Sequence, residues 1–193
     1  VGGVRRSAEL SLSDLDDILM RNAKGGTFYN SEPQRTMANN SAVYLEKPSS
    51  SEFIKEWLSL VESGSGERGI FNRYGLGFQL PKRRLAGLKD YLEYCGTNPC
   101  GEIILRPRQF CNLSEVVVRS EDDLNSLKYK VRVATLLGTY QSMLTDFPFL
   151  SKEWKENCEE ERLLGVSLTG VMDSSYLRNN PDALRELRDH SLE

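Results

Sequence analysis

Cys100 stands in the run Asn98-Pro99-Cys100-Gly101-Glu102, with an amide two residues before the thiol and a carboxylate two residues after it. Pro99 pushes Asn98 toward extended backbone, and Gly96 and Gly101 permit sharp turns. The spacing therefore predicts a thiol presented at a loop tip, with Asn98 and Glu102 both able to direct polar groups toward a substrate near the sulfur. Thiolate catalysis would want a base, and the chain's one histidine, His190, lies ninety residues further on. A carboxylate beside the thiol also disfavours thiolate. The pattern suits a neutral S–H that gives or takes a hydrogen atom, while the carboxylate handles the proton of a nearby hydroxyl.

The remaining cysteines are Cys95, Cys111 and Cys158. Successive spacings of 5, 11 and 47 residues contain no CxxC pair, so neither a tetrahedral zinc site nor a dithiol oxidoreductase motif is written here, and no metal-binding residue is assigned. Cys95 and Cys158 are expected to be small buried hydrophobes. Thiols that stay reduced fit a cytoplasmic setting.

Apolar residues make up 39% of the 193 and charged residues 27%, which suits a globular chain with one sizeable core. A net charge of −3 carries no general attraction to nucleic acid or to an anionic membrane. Apolar runs such as Glu102–Leu105 and Val116–Val118 are far too short to cross a bilayer, and no signal peptide is visible, although the chain does not begin with Met.

Several elements must position the thiol. Alternation of Val4, Ala8, Leu10 and Leu12 predicts a strand after Gly2 and Gly3, whose role is backbone freedom. Ser13 or Asp14 then caps a short helix ending near Lys24. Residues 25–40 read as a polar loop running into a strand at Ser41–Leu45. Ser caps precede Phe53, Trp57, Leu60 and Val61 at helical spacing, and both Trp57 and Trp154 are expected in the core. A glycine-weakened helix over residues 84–94 leads to short buried strands at residues 102–105 and 115–118. Leu124, Leu127, Val131, Ala134 and Leu137 give residues 122–145 the strongest helical face. Helices also surround Trp154 and start at Pro181, and residues 165–172 read as strand or tight helix. Strands and helices mix, so the fold class is α/β, in one domain or part of one.

The runs "TNPCGE" and "FCNLSEV" closely resemble the catalytic barrel of ribonucleotide reductases. "GGVRRSA", "PQRTMANNSAVY", "SGSGERGIFNR" and "EEERLLGVSLTGVM" follow in the family's order, so the likeness spans nearly the whole chain. It is strongest toward the adenosylcobalamin-dependent class and its monomeric triphosphate reductases. The resemblance implies a central segment, residues 1–193, of a ten-stranded α/β barrel, with Cys100 the thiyl radical site on a finger loop. Glu102 would take the 3′-hydroxyl proton, Asn98 would bond the sugar hydroxyls, and Cys111 would be one of two reducing thiols. Gln34 and Arg35, in "SEPQRTM", would lie in the loop that reads a deoxynucleotide effector. Implied partners are a ribonucleoside tri- or diphosphate, a thioredoxin-type reductant and the remainder of the reductase chain, and the implied cofactor is adenosylcobalamin. Di-iron members share Asn-x-Cys-x-Glu, so the cofactor class stays open on these residues. A reading from another class is a non-catalytic piece that completes a barrel with a partner chain.

Overall fold

The computed structural model describes residues 10–88 and 92–193. The strand expectation at Val4 and Ala8, the glycines at 2 and 3 and the middle of the helix expected over residues 84–94 lie outside them. Two compact units divide the chain, residues 1–107 and 108–193.

The first unit is built on a three-stranded parallel sheet in the order β1 (Leu10–Ser13), β2 (Asn39–Tyr44), β3 (Gly69–Asn72). Leu10 registers with Asn39, and Ser41 with Gly69. Parallel neighbours need crossovers, and the first holds α1 (Ile18–Arg21) and α2 (Phe28–Ser31). Residues 25–40 are therefore not a plain loop: α2 and a 3-10 turn at Pro33–Met37 fold locally, the second opened by a proline at its first turn. Asp17, rather than Ser13 or Asp14, caps α1, accepting from the Met20 amide at 2.9 Å.

The second crossover is α3 (Ser50–Ser63), entered through a capping box in which Ser49 and Glu52 satisfy each other's backbone amides. Its register overturns the sequence expectation. Trp57 is 51% exposed, and Phe53 and Val61 are also exposed, while the one buried residue of the helix is Glu56. Glu56 turns toward the sheet because Arg68 and Arg21 bond it there, at 2.7 and 2.9 Å, so the buried ion pair and not the apolar stripe sets which face packs.

Beyond β3, α4 (Leu76–Gln79) and α5 (Lys82–Leu88) lead to a 3-10 turn at Leu92–Tyr94 and to a hairpin of β4 (Gly96–Thr97) with β5 (Ile104–Leu105). Leu76, Leu88 and Cys95 form a small core there.

The second unit pairs β6 (Asn112–Val117) with β7 (Leu164–Thr169) in parallel, which resolves residues 164–169 as strand. Between them run α6 (Leu124–Ser142), capped by Asp123, and α7 (Lys152–Glu161). After a 3-10 turn at Val171–Asp173 come α8 (Ser175–Arg178) and α9 (Pro181–His190). Leu127, Val131 and Ala134 of α6 meet Val116, Val118, Leu177 and Leu187 in the core. The buried line of α6 runs on through Gly138 and Ser142, and Leu137, one residue before Gly138, is 60% exposed because each residue turns the helix by about 100°. The β6 strand is buried on one face only, so Val116 and Val118 are inside and Val117 is exposed. Trp154 is half-buried against Phe110, with ring centroids 4.5 Å apart. Among the described residues no helix is long and apolar enough to cross a membrane.

Mixed α/β is thus the class, and the described strands form three small sheets.

Candidate functional site

The tip of the β4–β5 hairpin is the turn Asn98-Pro99-Cys100-Gly101. The Gly101 amide donates to the Asn98 carbonyl at 2.9 Å, which closes a four-residue turn. Each residue type suits its place. Asn is favoured at the first position, Pro presets φ at the second, and Gly101 takes φ +81°, a conformation that costs other residues steric energy. Cys100 falls at the third position, exposed.

Asn98 is only 8% exposed. Its Oδ1 accepts from the Ile103 amide at 3.1 Å, and its backbone N–H donates to the Ile103 carbonyl at 3.3 Å. Through backbone and side chain together, Asn98 ties the two sides of the loop to each other and is a structural member of it as well as a neighbour of the thiol. Glu102 lies on the exposed flank of the same turn.

The hairpin is fastened to its own unit by side chains. Arg73, just past β3, donates from Nε to the Cys95 carbonyl at 2.9 Å, and Arg84 of α5 donates to the Ile104 carbonyl at 2.9 Å. Gly96 comes so near Leu12 that a Cβ on it would stand 3.1 Å from the Leu12 methyl. At the tip, Asn39 Nδ2 donates to the Pro99 carbonyl.

Cys100 opens onto a cleft of about 430 Å³ lined with Asn39, Ser41, Glu67, Gln79 and Thr97 among others. The polar lining has structure of its own. Glu67 takes a 2.8 Å ion pair from the buried Lys24 and accepts from the Asn40 amide at 3.1 Å. A wall of amide, hydroxyl and carboxylate groups beside a thiol is suited to a polyhydroxylated ligand, whose hydroxyls can both donate and accept.

Gln34 and Arg35 lie on the 3-10 turn at Pro33–Met37, both exposed. Gln34 bonds Glu32, and Arg35 donates to the Ala23 carbonyl at 2.9 Å at the side of a second cleft of about 590 Å³. They are in the same unit as Cys100.

Cys111 belongs to the second unit, half-buried one residue ahead of β6. Cys95 and Cys158 are buried, the latter with its sulfur 3.5 Å from the Phe110 amide. No group of three or more metal-ligating side chains occurs among the described residues.

Asn39, Glu67 and Arg73 escaped the reading of the sequence as site residues. All three fall in stretches that carry the family resemblance, "MANNSAVY" and "SGSGERGIFNR", so the signal existed without a role attached. Which of them touches the turn depends on long-range pairing, and spacing along the chain does not express that.

No protein-family model matches the chain, and no solved structure matches it significantly. Curated proteins do. The adenosylcobalamin-dependent ribonucleoside-triphosphate reductase of Levilactobacillus brevis is 31% identical over 186 residues, and that of Lacticaseibacillus paracasei 32% identical over 187. That of Lactobacillus helveticus is 31% identical over 184 residues. Each alignment takes in 89% of this chain and 22% of the relative, so the chain spans about a fifth of the length of the proteins it matches. In sequence, then, the chain is similar to one segment of the adenosylcobalamin-dependent ribonucleoside-triphosphate reductases, the group its cysteine motif resembles.

Proposed function

We propose that this chain is the thiol-bearing segment of a ribonucleotide reductase, contributing Cys100 as the residue that exchanges a hydrogen atom with the substrate ribose. The observation that carries the reading is the exposed Cys100 on a closed turn, between Asn98 and Glu102 and beside a polar cleft, in a chain akin to reductases over 89% of its length.

The residues would divide the work as follows. Cys100, as a thiyl, takes the 3′ hydrogen of the ribose, forming S–H and leaving a carbon radical. Glu102 accepts the 3′-hydroxyl proton, a task for an exposed carboxylate with access to solvent. Asn98 has its Oδ1 committed to Ile103, so Nδ2 is the donor that it offers a sugar hydroxyl. The 2′-hydroxyl then leaves as water, taking a proton from one of the reducing thiols. Two electrons come from a pair of thiols, one of them Cys111, which close to a disulfide and are reset by exchange with a thioredoxin-type reductant. Glu102 gives the proton back to the 3′ oxygen, and Cys100 finally returns the hydrogen to C3′.

Adenosylcobalamin fits this chain at one point, an exposed thiol of hydrogen-atom-donor type, and supplies when bound the carbon radical that takes the hydrogen from sulfur. The described residues suggest no ligand for cobalt: His190, the chain's one histidine, bonds Glu193 through Nδ1 at 3.0 Å. The substrate would be a ribonucleoside triphosphate, as in the relatives' names, with a diphosphate the variant to compare. Gln34 and Arg35 would meet a deoxynucleotide effector, the guanidinium giving charge-assisted bonds to phosphate. The three-stranded parallel sheet and the β6–β7 pair, both joined through helices, are the kind of unit from which a ten-stranded α/β barrel would be made.

The test is Cys100→Ser in the complete reductase that carries this segment, supplied with adenosylcobalamin and a dithiol. Deoxynucleotide formation disappears while the far-ultraviolet spectrum stays that of the wild type, and full turnover by the variant overturns the assignment. A second reading, a piece that acts only by completing a barrel with a partner chain, draws on the exposed apolar face of α3 at Phe53, Trp57 and Val61. Size exclusion of the chain alone and with the other reductase segments separates the two, since only the second reading expects the Cys100→Ser assembly to keep its whole function.

A further inference from the structure

We propose that Asn39 is a positioning residue for Cys100, holding the thiol's turn in place by donating from Nδ2 to the Pro99 carbonyl. The inference rests on the reading of Cys100 as the reacting thiol, and its first test does not depend on that reading.

The hairpin is held in two different ways. Arg73 and Arg84 grip its stem, through the Cys95 and Ile104 carbonyls, and neither bond touches the turn. Asn98 closes the turn on itself, which fixes its shape but not its place. Asn39, on the sheet, donates to the Pro99 carbonyl inside the turn. Its backbone begins β2, in parallel register with Leu10 of β1, and two positions further on Ser41 registers with Gly69 of β3. The donor is therefore mounted on the middle strand of a sheet and not on a loop.

The acceptor is as well placed. Proline has no N–H, so the carbonyl is the one backbone group through which residue 99 can be held. That carbonyl belongs to the planar peptide entering Cys100, so fixing its oxygen fixes the plane from which the Cys100 Cα and sulfur project. A hydrogen-atom transfer is acutely sensitive to placement, and misplacement by about 1 Å can cost on the order of a hundredfold in rate. Asn39 also lines the cleft on which Cys100 opens, so the anchor and the thiol share one wall.

The experiment uses Asn39→Ala, which removes the amide, and Asn39→Asp, which keeps the shape but offers the carbonyl only an acceptor. Amide hydrogen exchange is followed in the 193-residue chain at Gly101 and Ile103, whose N–H groups bond within the turn, with the amides of residues 41–44 in β2 as the internal control. Both variants should speed exchange at Gly101 and Ile103 by roughly tenfold, the worth of one hydrogen bond, and leave the β2 amides unchanged. Unchanged turn amides overturn the proposal, and so does a rise shared equally by turn and β2, which would mark Asn39 as a general support of the sheet. In the complete reductase Asn39→Ala should lower kcat by roughly ten- to a hundredfold with KM within about twofold. Asn39→Gln, which restores a donor, should recover part of the loss. Full kcat in a variant whose turn has loosened would end the positioning role. Absence of deoxynucleotide formation by the wild type would refute the reductase reading instead, and the exchange result would stand apart from it.

Discussion

Glu56 and Arg68 meet through two parallel hydrogen bonds, Nε to Oε1 at 2.7 Å and Nη2 to Oε2 at 3.1 Å, with both side chains essentially sealed from solvent. Arg68 spends its other donors on the Ser13 hydroxyl and on the carbonyls of Asp14 and Leu15, and Arg21 adds a bond to Glu56. One carboxylate thus gathers the end of β1, α1, α3 and the approach to β3. Removing one partner of a buried pair leaves an uncompensated charge, so Glu56→Ala should cost about 3–5 kcal/mol of unfolding free energy, measured by denaturant titration.

The same pair sets a pH dependence. Burial pushes the Glu56 carboxyl up, but the hydrogen bonds from Arg68 and Arg21, together with their charges, outweigh it and hold the group below the usual carboxylate range. A folded-state pKa below the unfolded one adds stability above the unfolded value, about 4.3, and that stability is lost as pH falls through the folded-state value. Wild-type stability should therefore drop on the acid side of about pH 4, and Glu56→Gln should start lower and show a shallower drop there. Equal slopes in the two proteins would mean that Glu56 is not a source of the acid sensitivity.

Two glycines of the second unit should answer alanine with opposite signs. Gly138 lies inside α6, where an added Cβ would rest 3.5 Å from Leu164, an ordinary contact. Gly138→Ala should gain about 0.5–1 kcal/mol from helix propensity and reduced unfolded-state freedom. Gly170 has φ +84° and an added Cβ would press to 2.7 Å from the Val118 carbonyl oxygen. Gly170→Ala should lose at least about 1–2 kcal/mol from the left-handed backbone alone. Thermal unfolding reads both, at about 2–4 °C per kcal/mol for a chain of this size.

The legible and illegible parts of this fold divide along the range of the interactions. Asn-Pro-Cys-Gly is a turn signature, and the turn formed where those four residues stand, with Cys100 exposed on it. Leu127, Val131 and Ala134 were legible for the same reason, since one helix face is a matter of period alone. Trp57 was misread because its partner in the contest was Glu56, one residue away, and the outcome hung on Arg68 and Arg21 from elsewhere in the chain. Apolar spacing carries no information about a buried guanidinium. Asn39 went unassigned as a site residue for a like reason: the bond it makes spans sixty residues, and "ANNS" reads locally as no more than the start of a strand.

Asn98 and Glu102 flank the same thiol, yet their substitutions should part in a way that tests the roles given to them. Glu102 is exposed at the edge of the turn, so Glu102→Gln should leave thermal unfolding where it is while lowering kcat by roughly a hundred- to ten-thousandfold, the usual worth of a positioned acid–base group. Asn98 is buried and bonds Ile103 through Oδ1, so Asn98→Ala should lose activity and also leave the Ile103 amide without its acceptor, at a cost of about 1–3 kcal/mol. Asn98→Asp keeps that acceptor, loses the Nδ2 donor and brings in a carboxyl group. It should recover most of the stability and little of the turnover, since the donor that would meet a sugar hydroxyl is gone. Recovery of both by Asn98→Asp would show that Asn98 serves the turn and not the substrate, and an unfolding midpoint that falls in Glu102→Gln would move that carboxylate from the chemistry to the fold.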